Sequence, residues 1–412
     1  MKKVIYILFV FLTAALGYGC TEEFVGQPAV DKVAPGQVKN PVAESIPGGA
    51  KITYELPDDA DLLYVKAVWT INGVEKNATA SLHYRSLEIK GFGNTDPQTV
   101  ALYSVDRSEN LSNPVSVSII PGPPPVTSIL ESLSMVNAFG GIQLTWKNET
   151  KDDISIIVQG KNSIGELTEI EVIYTNSTDG KYVVRNLPAV KREFAVYVRD
   201  RWDNISATKN QVLTPLFEEK LNKKLFARKL LPGDNPSERP TGSSGGGWDN
   251  LYDDDLGISN WSFWYANIGQ SPIFFTIDLG ITAKLSRYAL WHFMNSYSYM
   301  YSGHENLKYW KVYGTNTLSA ETSLDYWTAT AEGTGWKQDW TMLADCESFK
   351  PSGMAPGSPV TQEDRDYATR GFQFDFPLEA PPMRYLRFHV TGTWHGGDSF
   401  LIGEVTFWGQ NR

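Results

Sequence analysis

Two stretches of this chain repeat one another. "GGAKITYELPDD" begins at Gly48 and "GGIQLTWKNETKDD" begins at Gly140, an offset of 92 residues. A second matched pair closes each copy. It is "LYSVDRSENLS" and "VYVRDRWDNIS", whose Asp106-Arg107 and Asp200-Arg201 lie 94 residues apart. A fixed period of this size marks a duplicated folding unit. Within each copy the apolar residues alternate with polar ones. Ile52, Tyr54 and Leu56 alternate with Lys51, Thr53 and Glu55, and Ile142, Leu144 and Trp146 follow the same rule. Period-two alternation means a strand with one buried face. No long stretch carries helical spacing. The period fits a seven-stranded sandwich of about 100 residues, so tandem sandwiches are predicted at 33–122 and 126–215.

Prolines and glycines punctuate what lies between. "PGPPPV", Pro121 to Val126, predicts a stiff extended joint. "LFEEKLNKKLFARKLL", Leu216 to Leu231, spaces its apolar residues at roughly helical intervals, which predicts a short helix or a packed connector. An exposed loop rich in Pro, Gly and Ser completes a connector over 216–247. It contains "GSSGG", which matches the Gly-x-Ser-x-Gly pattern around Ser244. A nucleophile elbow needs a strand before it and a helix after it. Here the flanks are proline and glycine, so Ser244 is not expected to be a nucleophile.

Both copies resemble fibronectin type III domains. Trp146 stands at the usual second-strand tryptophan, Tyr54 replaces it in the first copy, and Phe194 lies near the corner tyrosine without its hydroxyl. The resemblance implies spacers rather than active sites.

The N-terminus reads as a processing signal. Lys2 and Lys3 precede an apolar run from Val4 to Leu16, too short to span a bilayer comfortably. "LGYGC" resembles the bacterial lipobox. That resemblance implies lipidation at Cys20, a signal over 1–20 and a tether over 21–32. "TEEF" after the cysteine resembles the surface-export tag of Bacteroidota lipoproteins, which implies an outer-membrane protein facing the exterior. Acyl chains would anchor the chain without a spanning helix. With Cys20 acylated, Cys346 has no partner and no disulfide framework exists. The net charge of −10 and pI near 5.1 argue against nucleic acid, which needs clustered Lys and Arg.

Ten of the thirteen tryptophans fall between Trp248 and Trp408. This last third therefore has an unusually aromatic core, an aromatic site, or both. Its ordered motifs are "YDDDLGISNW", "FFTIDLG", "LSRYALWHF", "YWKVYGT", "KPSG", "RYLRFHV" and "IGEVTFWG". In that order they resemble a discoidin domain (coagulation factor 5/8 type C), a galactose-binding-like jelly roll, over 248–412. The fold class expected is all-β: three tandem β-sandwiches, two fibronectin type III-like and one discoidin-like.

In carbohydrate-binding members of that fold, a loop after the first strand holds calcium with help from a glutamate on the last strand. The resemblance implies structural calcium at Asp253, Asp255, Ser259 and Glu404. A carboxylate-rich turn supplies the hard oxygens calcium requires, and a jelly roll brings its first and last strands together. The alternative is a solvated turn with Asp254 facing water. Acid–base catalysis is disfavoured, because adjacent aspartates share one environment and catalytic pairs need different ones.

Sugars stack apolar faces on aromatic rings and bond their hydroxyls to polar side chains. Three loops offer both: "SNWSFWYAN" with Trp264, Tyr265 and Asn267; "NSYSYMYSGHEN" with Tyr297, Tyr299, Tyr301 and His304; and "GTWHGGDS" with Trp394, His395 and Asp398. Trp261, Trp291, Trp408 and His389 are assigned to the core. The five histidines form no zinc pattern. The function expected is non-catalytic carbohydrate capture at the cell surface, within a polysaccharide-utilisation system and its outer-membrane uptake complex. The rival readings are a jelly-roll glycosidase or lyase and a protein-binding adhesin or scaffold.

Overall fold

The computed structural model describes residues 31–236, 246–258, 262–266, 273–294, 301, 306–397 and 399–411. Cys20, Ser244, Ser259, Trp261, Asn267, Tyr297, Tyr299, His304 and Asp398 lie outside the described residues.

The first sandwich is built from β1 (Lys39–Ile46), β2 (Gly49–Glu55), β3 (Leu62–Ile71), β4 (Val74–Ser81), β5 (Ser86–Lys90), β6 (Gln98–Asp106) and β7 (Val115–Ile119). Its sheets run β1-β2-β5 and β4-β3-β6-β7. The helix α1 (Pro125–Ser132) leads into the second sandwich. Its strands are β8 (Ser134–Ala138), β9 (Gly141–Lys147), β10 (Ile154–Lys161), β11 (Leu167–Thr175), β12 (Asp179–Val184), β13 (Arg192–Asp200) and β14 (Lys209–Leu213). The sheets β12-β9-β8 and β11-β10-β13-β14 reproduce the first topology. Ile52, Tyr54 and Trp69 fill one core, and Ile142, Leu144, Trp146 and Phe194 fill the other.

The repeated motifs have physical reasons. A Cβ on Gly49 would lie 1.9 Å from the Ile89 carbonyl, and one on Gly141 would lie 1.7 Å from that of Val184. Only glycine permits that strand approach. Asp106 accepts from the Ser108 and Asn110 amides and from the Asn110 side chain. Asp200 does the same with Trp202 and Asn204. Each buried aspartate thus satisfies the backbone of a hairpin that would otherwise hold unpaired donors.

The proline run is extended as far as Pro124 (φ −65°, ψ 142°) and then turns into a helix. Pro124 caps α1 and Pro125 opens it; proline fits there because the first helical N–H has no partner in any case. α1 then buries Val126 and Ile129 in the second core. The side chain of Asn204 donates to the Gly91 carbonyl of the first sandwich at 3.1 Å, so the two sandwiches are docked.

The last module comprises β15 (Glu219–Lys220), β16 (Ala227–Lys229), β17 (Trp264–Ala266), β18 (Ile273–Trp291), β19 (Leu307–Thr315), β20 (Thr341–Glu347), α2 (Gln362–Arg370), β21 (Phe372–Asp375), β22 (Met383–Thr393), β23 (Phe400–Ile402) and β24 (Glu404–Gln410). The order is β15-β24-β18-β22-β19-β20, with β16 and β21 also on β18 and a separate β17-β23 pair. β18 bends at Gly280, where φ is +70°. Its first half pairs with β16 and β22, and its second half pairs with β21 and β24. One strand therefore serves both layers. The chain is all-β, as expected.

The structure adds residues before 248 to the last module. The connector supplies β15 and β16, and Leu221 and Phe226 join the core of the last module. Lys223–Leu225 is a single turn of 3₁₀ helix, so the segment is a packed connector without an α-helix. Across the joint to the second sandwich, Arg185 pairs with Asp375, and Glu218 accepts from Ser286 and Arg287.

Candidate functional site

The Asp-rich turn lies beside the last strand, as jelly-roll closure requires. The Asp254 amide donates to Glu404 Oε2 at 2.7 Å. Glu404 is 1% exposed. Its other oxygen holds the Lys223 ammonium at 2.7 Å. That ammonium also sits 2.7 Å from Asp254 Oδ1, which takes Lys220 as well at 2.5 Å. Burial pushes the Glu404 carboxyl up to about 7, against the pull of Lys223. Burial also acts to raise Asp254, but the hydrogen bonds from Lys220 and Lys223 outweigh it and hold that carboxyl below its ordinary value.

The residues present do not fit the calcium cage that the resemblance implied. Calcium takes six to eight oxygens at about 2.3–2.6 Å. Here a lysine ammonium stands between the turn and the last strand. Asp253 is spent on the Asp255 amide and the Ser262 hydroxyl, and Asp255 accepts from the Gly257 amide. Among the described residues, the carboxylates whose oxygens converge within 4.8 Å are instead Asp31, Asp61 and Asp106 in the first sandwich. With Lys223 in that place, neither calcium nor a chelator should shift the melting of the last module. A bound metal at a hundredfold excess over Kd would add about 2.7 kcal/mol, visible as several degrees in a thermal melt.

The aromatic loops resolve into buried and exposed members. Trp264 is 0% exposed and offers no face to a sugar. It heads β17, pairs with Ile402 and packs edge-on against Trp248, Phe275 and Phe400 at 4.7–5.0 Å. Tyr301 is likewise buried, under Trp394 at 5.4 Å. Tyr265 is half-buried against Phe263, Phe293 and Leu401. Trp291 and Trp408, assigned to the core, are only half-buried; Arg287 covers the Trp408 ring at 3.8 Å. His389 is buried, as expected.

Trp394 and His395 remain accessible, and a neighbour missed by sequence joins them. The Trp394 indole is half-buried and donates to Ser348 Oγ at 2.8 Å. The Lys308 ammonium lies 4.9 Å from the Trp394 ring and 5.1 Å from Tyr309. Tyr309 is 42% exposed and spreads over Gly392, where a Cβ would come within 3.0 Å of its ring. Exposed Phe349 extends the cluster toward Tyr367 at 5.1 Å. The result is a surface of aromatic rings with an ammonium at hand, and exposed His395 follows Trp394 in the chain. Tyr309 opens "YWKVYGT", which the sequence offers only as one motif of the discoidin resemblance. The register between β19 and β22 shifts on both sides of Tyr309 and turns it outward. No signal in the sequence marks that shift.

Three families match in chain order, each described as a domain of unknown function. They are DUF4959 over 35–121, DUF5126 over 122–224 and DUF5000 over 248–409. No curated protein matches. Among solved structures the chain is similar to a "SusE-like protein BT2857", with 29% identity over 70% of this chain and 100% of that one, at a TM-score of 0.42. It is also similar to a putative chitobiase fragment from Bacteroides thetaiotaomicron, with 19% identity over 47% of this chain and 94% of that one, at a TM-score of 0.29. A third is a module named CBM32-1 from a Clostridium perfringens family 31 glycoside hydrolase, with 12% identity over 44% of this chain and 93% of that one, at 0.25.

Proposed function

We propose that this chain captures carbohydrate at the cell surface without cleaving it. The observation that carries the reading is the accessible cluster of Trp394, Tyr309 and Lys308, with exposed His395 next to Trp394 in the chain. Flat rings beside hydrogen-bond donors suit the apolar face and hydroxyl rim of a sugar. The strongly perturbed acids support capture over hydrolysis, because each is tied into a structural pair. Glu404 is held by Lys223. Burial acts to raise the Glu332 carboxyl, but Tyr313, Lys311 and Lys337 outweigh it and hold it near 2. Among the described residues, neither faces a second carboxylate across a groove as hydrolysis of a glycosidic bond requires.

In this reading Cys20 carries the lipid anchor to the outer membrane. The docked sandwiches hold the last module outward, within a glycan-uptake system. A glycan array probed with the intact chain tests it. Trp394→Ala or Tyr309→Ala should weaken binding at least about tenfold, roughly 1.4 kcal/mol. Unchanged binding would move the site elsewhere, and release of reducing ends would favour the enzyme.

A further inference from the structure

The duplication provides an internal comparison that singles out Tyr174. In the first sandwich, Tyr64 on β3 stands opposite Ser81 on β4. Its hydroxyl donates to Glu109 at 2.8 Å, which holds the ring down. In the second sandwich the pair is exchanged: Ser155 on β10 stands opposite Tyr174 on the edge strand β11. Tyr174 is 75% exposed. Among the described residues its hydroxyl has no hydrogen bond and its ring has no aromatic or cationic partner. A large ring left this open on a strand contributes little to stability, because it buries little area.

Its surroundings are polar, with three aspartates and two arginines. Tyr174, Ser155 and Arg199 form one row across β11, β10 and β13. A shallow depression of about 590 Å³ opens beside them, rimmed also by Asp153, Asn176 and Arg201. Asn176 donates to Asp153 at 3.2 Å, and Arg201 lies 4.2 Å over Trp202. Arg199 has no carboxylate partner among the described residues. We infer that this face of the second sandwich is a second glycan-binding site, in which Tyr174 stacks on a sugar ring of a neutral polysaccharide and Arg199, Ser155 and Asn176 bond its hydroxyls. The inference rests on the glycan-capture reading above. One ring amid polar groups is too small for a stable protein interface, which needs about 1,000 Å². Two arginines against Asp153, Asp200 and Asp203 leave the rim with one net negative charge, which gives no preference for an anion. A polysaccharide strand held at two modules would gain avidity over either site alone.

The test is affinity electrophoresis of the full chain in gels containing soluble neutral polysaccharides: a glucan, a mannan, a galactan and a xylan. For whichever polymer retards the intact chain, Tyr174→Ala should raise the apparent dissociation constant three- to tenfold, and Arg199→Ala should act in the same direction. Tyr174→Phe should keep most of the binding, because it keeps the ring. Combining Tyr174→Ala with Trp394→Ala should remove retardation that either alone leaves. Retardation unchanged in Tyr174→Ala overturns this inference and leaves the capture function standing. Failure of all four polymers to retard the intact chain overturns both.

Discussion

A fragment beginning at Trp248 should fail to fold, while one beginning at Thr214 should melt cooperatively. The shorter fragment retains the whole DUF5000 match, so sequence similarity alone recommends it. It lacks β15 and β16, and with them two buried ion pairs. Lys223 neutralises Glu404, with side chains 6% and 1% exposed. Asp234 neutralises Arg387, with both at 1% or less, at 2.7 Å. Arg387 is also enclosed by the rings of Trp336, Phe274 and Trp327 at 4.4–5.2 Å, so water cannot replace its partner. Removing one member of a buried pair costs about 3–5 kcal/mol. Two such losses are comparable with the roughly 5–15 kcal/mol that holds a domain together. Circular dichroism and tryptophan emission during thermal melting would show the difference. Equal melting temperatures for the two fragments would mean that the connector is an accessory strap.

Lys223→Met in the full chain should destabilise the last module increasingly above pH 7, by about 1.4 kcal/mol per pH unit, and by much less near pH 5. The pH sign follows from Glu404. Burial raises its folded carboxyl from the ordinary 4.5 to about 7 even with Lys223 in place. Without the ammonium, burial pushes it higher. A group raised in the fold contributes stability that is complete below the unfolded value and is lost as pH rises through the folded value. The variant's deficit should therefore open above about pH 7, where Glu404 ionises in the wild-type interior but stays protonated in the variant. Adding Glu404→Gln should recover most of the loss, because a neutral amide needs no ammonium. A deficit independent of pH would assign the effect of Lys223 to packing of its alkyl chain.

Much of this architecture was legible in the sequence. The paired glycines at 48–49 and 140–141, the Asp-Arg turns and the period-two apolar pattern are local constraints. Each records a close approach, a hairpin closure or a buried face within a few residues. The site was legible only in part. "SNWSFWYAN" has the polar flanks of a loop, yet pairing with Phe400–Ile402 turns Trp264 inward. "YWKVYGT" enters only as one motif of the discoidin resemblance, and a register shift turns Tyr309 outward. Helical spacing in the connector left a short helix or a packed connector open, and its apolar residues answer the jelly-roll core.

The sequence by itself determined the number of modules, their all-β class and their order, since these follow from periodicity and turn chemistry along the chain. Only the tertiary structure decided which cation the Asp-rich turn holds and which rings remain open. Lys223 and Glu404 are 181 residues apart. Neither carries any local mark of the other, because a buried charge selects its partner through space, where the two strands meet.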